Sequence, residues 1–271
     1  MAAALAGSAC DQSVVIGARY CSEPADDSDA GGGDLPEAGA SALDATVNVA
    51  TVALPWSTGF EEGFCDYRFP MGFCRTRGSG SYRIVTSPVH SGRYAAAFSV
   101  NSAIDGGSEA RCAVQGAFPD AAYYSAYYFI PEPTQNPQTP PPAGVWNLFH
   151  FQDPPPSTDY MWDLSLLTRS DGGPLQAVIY DFQSHLSSSD STYFIPVGQW
   201  FHLEVYFKRA ADNSGVLRLW IDGNLQPDLT GMPTDDTTAN PRQWLVGNWA
   251  NGLIPPVSTI YVDDVAIGLD P

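Results

Sequence analysis

The sequence predicts an all-β protein: a two-sheet antiparallel β-sandwich of jelly-roll type behind a disordered N-terminal tail. Three observations predict it. The chain of 271 residues carries 25 Gly and 23 Pro, which cut it into short elements. From Trp56 onward, short apolar or alternating runs stand between turn signals, and no helical period is sustained. About a dozen such runs fill roughly 215 residues, the texture of two packed sheets.

The elements follow in order. Residues 1–10, MAAALAGSAC, resemble the end of a lipoprotein-type secretory signal that stops at a cysteine. A basic start and a long apolar core are missing from it, as they would be if translation began further upstream. Residues 11–54 form an acidic linker. Within it, residues 22–54 are rich in Ala, Asp, Gly and Ser and have no aromatic residue, so they cannot bury enough surface to offset their ordering entropy. Residues 55–271 are the folded domain. Its predicted strands are 82–85, 94–100, 110–114, 123–130, 146–152, 162–168, 175–182, 200–207, 216–221, 243–246 and 259–267. In 200–207, Phe201, Leu203, Val205 and Phe207 alternate with Trp200, His202, Glu204 and Tyr206, which gives one core face and one polar-aromatic face. Asp222-Gly223 is a tight hairpin signal.

The net charge is -18, from 30 acids and 12 bases. Nucleic acid and anionic membrane surfaces repel such a chain. Seven of the acids lie in residues 22–54 with no base, so the domain itself carries less. No apolar run reaches the roughly 18 residues of a membrane helix, which leaves a lipid on Cys10 as the one route to a membrane. The expected location is the exported side of a bacterial cell, anchored or secreted. Setting Cys10 aside leaves Cys21, Cys65, Cys74 and Cys112, enough for two disulfides in an oxidising compartment. Cys65 and Cys74 are the nearest pair in sequence, and Cys112 competes for either.

Several segments resemble the concanavalin A-like jelly rolls of bacterial polysaccharide lyases and laminin-G-like domains. They are Ser91-Gly-Arg-Tyr-Ala-Ala-Ala-Phe98, Gly198-Gln-Trp-Phe-His-Leu-Glu-Val-Tyr206, Leu217-Arg-Leu-Trp-Ile-Asp-Gly223 and Ile260-Tyr-Val-Asp-Asp-Val-Ala-Ile-Gly268. The last is similar to a closing strand that pairs with the opening Phe60–Gly63. Alginate lyases of this fold carry R-[ST]-E-L-R, and Gly107-Ser-Glu-Ala-Arg111 keeps Ser108, Glu109 and Arg111 of it. Their Q-[IV]-H is similar to Leu148-Phe-His150, which keeps the His and loses the Gln. Their Y-F-K-A-G-x-Y aligns with Trp244-Leu-Val-Gly-Asn-Trp249, where Gly247 is kept and Trp249 replaces the proton-transferring Tyr.

The resemblance implies a polysaccharide partner and β-elimination on a uronate. That reaction neutralises the substrate carboxylate, takes the proton alpha to it and gives a proton to the leaving oxygen. His150, Arg111 and Glu109 are the expected catalytic residues: Arg111 offers a guanidinium fork for the carboxylate, beside Glu109, with which it can also pair. His150 offers a base, and Tyr128 or Tyr180 a hydroxyl acid. Trp146, Gln152, Tyr180, Asn248 and Trp249 are the expected substrate-binding residues, with rings for sugar faces and amides for hydroxyls. Non-catalytic carbohydrate binding or surface adhesion is the alternative, which Trp249 favours. A structural surface domain is the third. A hydrolase needs two facing carboxylates, and Asp163 with Asp181 on neighbouring strands is the pair the sequence offers. A structural Ca2+ held by Glu61, Asp263 and Asp264 is the one metal suggested, between the first and last strands. Cys and His spacing fits no zinc site. A monomer is expected.

Overall fold

A computed structural model describes residues 50–68, 70–103, 107–136, 145–153, 162–168, 173–181, 187–188, 193–226, 228–235 and 242–271. The signal-like segment, nearly all of the linker, Cys10, Cys21 and His185 lie outside them.

Sixteen strands and no helix make up the described chain. They are β1 (Trp56–Thr58), β2 (Gly72–Arg77), β3 (Ser81–Val85), β4 (Ala95–Asn101), β5 (Ser108–Gly116), β6 (Ala121–Phe129), β7 (Val145–Gln152) and β8 (Trp162–Thr168). The others are β9 (Leu175–Asp181), β10 (Ser187–Ser188), β11 (Trp200–Lys208), β12 (Gly215–Ile221), β13 (Asn224–Leu225), β14 (Leu229–Met232), β15 (Arg242–Asn251) and β16 (Val257–Gly268).

Two antiparallel sheets result. One runs β13-β12-β11-β6-β16-β4-β3, with β1 also on β16 and β14 on β12; the other runs β10-β9-β8-β7-β15-β5-β2. The two-sheet sandwich expected from the sequence is therefore the fold. The closing strand β16 takes its partner from β1, with Val265 opposite Thr58, while the chain turns at Phe60 (φ 57°) instead of extending the strand. The hairpin at Asp222-Gly223 has both residues at positive φ, as a two-residue turn matching strand twist requires.

Alternation divides each strand between core and outside. In β11, Phe201, Leu203, Val205 and Phe207 are buried. In β5, Ala110, Cys112 and Val114 join the core, so Glu109, Arg111, Ala113 and Gln115 face the other way. Trp146, Trp162 and Trp244 are all fully buried between the sheets.

Cys74 is bonded to Cys112 and not to Cys65. Cys74 and Cys112 are direct cross-strand partners on β2 and β5, with Cα atoms 4.0 Å apart. Of the pairings the sequence left open, strand register selects Cys112 for Cys74. Cys65 is also disulfide-bonded.

Candidate functional site

The outward face of the seven-stranded sheet collects most of the residues singled out in the sequence. Register builds it row by row. One row runs Ala113, Leu245, His150, Asp163, Tyr180 across β5, β15, β7, β8 and β9. The next contains Arg75, Arg111 and Gly247. A third contains Arg77, Glu109, Trp249 and Asn147.

Two irregularities shape the centre. Between Val246 and Trp249, β15 has one residue more than β7, and Leu148 is in turn extra relative to β8. Such bulges break the ladder and re-aim side chains. Tyr128, from the opposite sheet, donates its hydroxyl to the freed Leu148 carbonyl at 3.2 Å. Gly247 lies inside the bulge at φ 139°, a backbone state that L side chains rarely adopt. A Cβ there would sit 2.5 Å from Ala110 O and 2.8 Å from Arg111 Cα. The missing side chain leaves the space across which Arg111 lies.

Arg111 is 4% exposed. Its Nη2 donates to Asn147 Oδ1 at 2.5 Å, and its guanidinium carbon sits 5.9 Å from the centre of the half-buried Trp249 ring. Arg111 Nε and Asn147 Nδ2 are buried without a partner. Burial pushes the Arg111 guanidinium below its ordinary value, with Glu109 and Asp163 opposing that push through their charge. Glu109 does not take Arg111 as its partner: it accepts from Arg75 Nε at 2.7 Å.

His150 is 6% exposed, and its Nδ1 meets the buried carboxylate of Asp163. Its Nε2 meets Gln152 Oε1 at 2.7 Å. Asp163 is thus a histidine partner and not half of a hydrolase pair. Asp181 registers with the core-facing Trp162, so it lies on the opposite face from Asp163. Tyr180 faces outward, directly across from Asp163.

Arg111, Glu109, His150, Gln152, Tyr180 and Trp249 are therefore brought to one face. Trp146 and Asn248 are not. Trp146 is wholly buried and donates Nε1 to Asn248 Oδ1 at 3.0 Å, while Asn248 Nδ2 reaches the carbonyls of Phe98 and Ser258. These two are core residues, corrected from substrate-binding ones. Asn248 falls on the core side by plain alternation with Trp244, Val246 and Ala250, while the extra residue Leu148 turns Trp146 inward, and a single sequence does not show that bulge. Tyr128 is also a core group. Wholly buried, with its hydroxyl donated to Leu148 O, it is out of a substrate's reach, and burial raises that hydroxyl above its ordinary value.

Glu61, Asp263 and Asp264 sit on or beside the other sheet and bind one loop. Glu61 accepts from the amides of Arg93 and Tyr94. Asp263 accepts from the amides of His90, Ser91 and Asp264, and Asp264 accepts from the Ser91 hydroxyl and contacts His90 Nδ1 at 2.6 Å. Among the described residues, no three His, Cys, Asp or Glu side chains are grouped to hold a metal ion.

Sequence reasoning missed Asn147, Asp163 as a histidine partner, Arg75, Gln115 and Gln243. Only register shows that they lie beside Arg111 and His150.

Solved structures share the fold. An endo-β-1,4-glucuronan lyase from the fungus Trichoderma reesei aligns at 16% identity and TM-score 0.54, covering 79% of this chain and 94% of that one. The cellulose-induced protein Cip1 aligns at 15% and 0.54, covering 79% and 96%. A PL-14 alginate lyase from Aplysia kurodai aligns at 13% and 0.50, covering 78% and 97%. No curated protein sequence matches the chain. Residues 55–266, the whole sandwich but for its last strand turn, match the family described as polysaccharide lyase, and the chain belongs to that family.

Proposed function

We propose that the protein is an extracytoplasmic lyase that cleaves a uronate-containing polysaccharide by β-elimination. The single observation that carries this reading is the pair of buried, unpartnered donors, Arg111 Nε and Asn147 Nδ2. Buried donors of this kind are almost always paired, and leaving one unmade costs on the order of 1–3 kcal/mol. Both belong to side chains already joined to each other, and both are donors, so they call for one acceptor. A uronate carboxylate supplies two acceptor oxygens and the negative charge that Arg111 lacks a full partner for.

The chemistry then follows from the reaction. Neutralising the carboxylate makes the adjacent C–H more acidic. The C–H electron pair forms the new double bond, and the C–O bond to the next sugar breaks. The His150–Asp163 pair, one row away on the same face, handles a proton. Tyr180 is the hydroxyl placed beside that pair. The Cys74–Cys112 bridge supports a location outside the reducing cytoplasm.

A second reading keeps binding without cleavage. It is favoured by Trp249, which stands beside Arg111 where the resembling lyases carry a tyrosine. Incubation with glucuronan, alginate, heparin and hyaluronan separates the two. Rising ultraviolet absorbance from unsaturated uronate supports the lyase. Retention on one of these polymers with no absorbance change supports binding alone.

A further inference from the structure

The site contains a row of three hydrogen-bonded glutamines that the reaction outlined above does not use. Gln115 Nε2 donates to Pro70 O at 2.9 Å. Gln115 Oε1 accepts from Gln243 Nε2 at 3.0 Å, and Gln243 Oε1 accepts from Gln152 Nε2 at 2.6 Å. Gln152 Oε1 meets His150 Nε2 at 2.7 Å, and His150 Nδ1 meets Asp163. Three glutamines on three adjacent strands thus join a backbone carbonyl to the histidine, in the register Gln115–Gln243–Gln152.

The chain has one direction. A carbonyl oxygen only accepts, so Pro70 O requires the amide nitrogen of Gln115. That choice leaves Gln115 Oε1 for Gln243, and the same logic passes along the row. Inverting the amides would set carbonyl oxygens against each other at the Pro70 end. At the far end Gln152 presents its oxygen to His150, so Nε2 must carry a hydrogen. Nδ1 faces a carboxylate oxygen, and a lone pair there would meet another lone pair. A proton therefore sits between Nδ1 and Asp163 as well. Whichever of those two atoms holds it, Nε2 keeps its hydrogen.

We infer that Gln115, Gln243 and Gln152 are positioning residues that hold His150 as a proton donor at Nε2, so that His150 is not the base that removes the substrate's α-proton. This rests on the lyase reading for its functional meaning but not for its test. His150 then acts by donating a hydrogen bond or a proton from Nε2, and another group takes the α-proton.

The experiment is 15N and 1H NMR on the full chain labelled at histidine, near neutral pH, with polymer cleavage measured in parallel. The chain has four histidines, so His150 is assigned by its loss in His150→Asn. The expected wild-type spectrum shows His150 Nε2 protonated, with a slowly exchanging hydrogen. In Gln152→Leu that hydrogen exchanges at least tenfold faster. In Gln152→Glu it is slow again, because a carboxylate can only accept. A wild-type spectrum with a bare Nε2 overturns the inference, as does Gln152→Leu with unchanged exchange. Absence of cleavage alongside the expected spectrum would count against the lyase reading and leave the inference standing.

Discussion

Arg111 Nη2 and Asn147 Oδ1 lie 2.5 Å apart, and this single bond leaves Arg111 Nε and Asn147 Nδ2 buried and unmatched. A buried cation with an incomplete set of partners costs the fold and is retained where it binds something. Arg111→Met removes that cost but leaves buried Asn147 Oδ1 without its donor, so the protein is expected to stay folded with a modestly lower melting temperature. The substitution is expected to lower kcat/KM on a polyuronate by about 10²–10³-fold, the loss typical of one removed charge-stabilising donor. Calorimetry and initial rates on the same preparation check this.

Gly247 makes the space that Arg111 occupies. An alanine there must adopt φ near 139° and bring its Cβ to 2.5 Å from Ala110 O. Gly247→Ala should cost at least about 1–3 kcal/mol in urea unfolding from backbone strain alone, and should impair substrate binding with it. Gly198→Ala is the control, since Gly198 also has positive φ (77°) but nothing within 4 Å of an added Cβ. It should lose stability only through its backbone and keep full activity.

The Cys74–Cys112 bridge ties β2 to β5 beside the Arg75–Arg111 register pair. Its 38-residue separation corresponds to about 4 kcal/mol of stability in the chain-entropy account. The double variant Cys74→Ala, Cys112→Ala should lose on that order in denaturant unfolding. A single Cys65→Ala variant should keep the Cys74–Cys112 linkage in a peptide map.

Asp263 has its carboxyl pushed up to about 6, first by burial and further by the charge of Asp264, against the amides of His90, Ser91 and Asp264. The folded value lies above the unfolded one near 4, so the folded state holds the extra proton between those values. The contribution of Asp263 is therefore most favourable below about pH 4 and is lost as pH rises through about 6. His90 and Asp264 face the same carboxylate. Asp263→Asn should flatten the dependence of melting temperature on pH across that window. A slope equal to the wild type's would contradict it.

The sandwich was legible because its strands alternate cleanly. The 200–207 run places Phe201 in the core and His202 outside in both sequence and structure. β2 was not legible: Phe73, Arg75 and Arg77 give it little apolar alternation, and its role is to carry Cys74 to Cys112 and Arg75 to Glu109. Arg111, Glu109 and His150 were legible because their motifs resemble lyase strands. Trp146 was misplaced because the extra residue Leu148 changes which face the start of β7 presents, whereas Asn248 follows the plain alternation of Trp244, Val246 and Ala250 into the core. Asn147, Gln115 and Gln243 become site residues only through strand pairing, which no single stretch of sequence encodes.

The most direct test of the central claim is the ultraviolet absorbance of unsaturated uronate released from glucuronan and alginate, with Arg111→Met beside the wild type. A rise is expected with the wild type on at least one polyuronate, and its loss in a folded Arg111→Met. No rise on either polymer, or equal rises from both proteins, would contradict it.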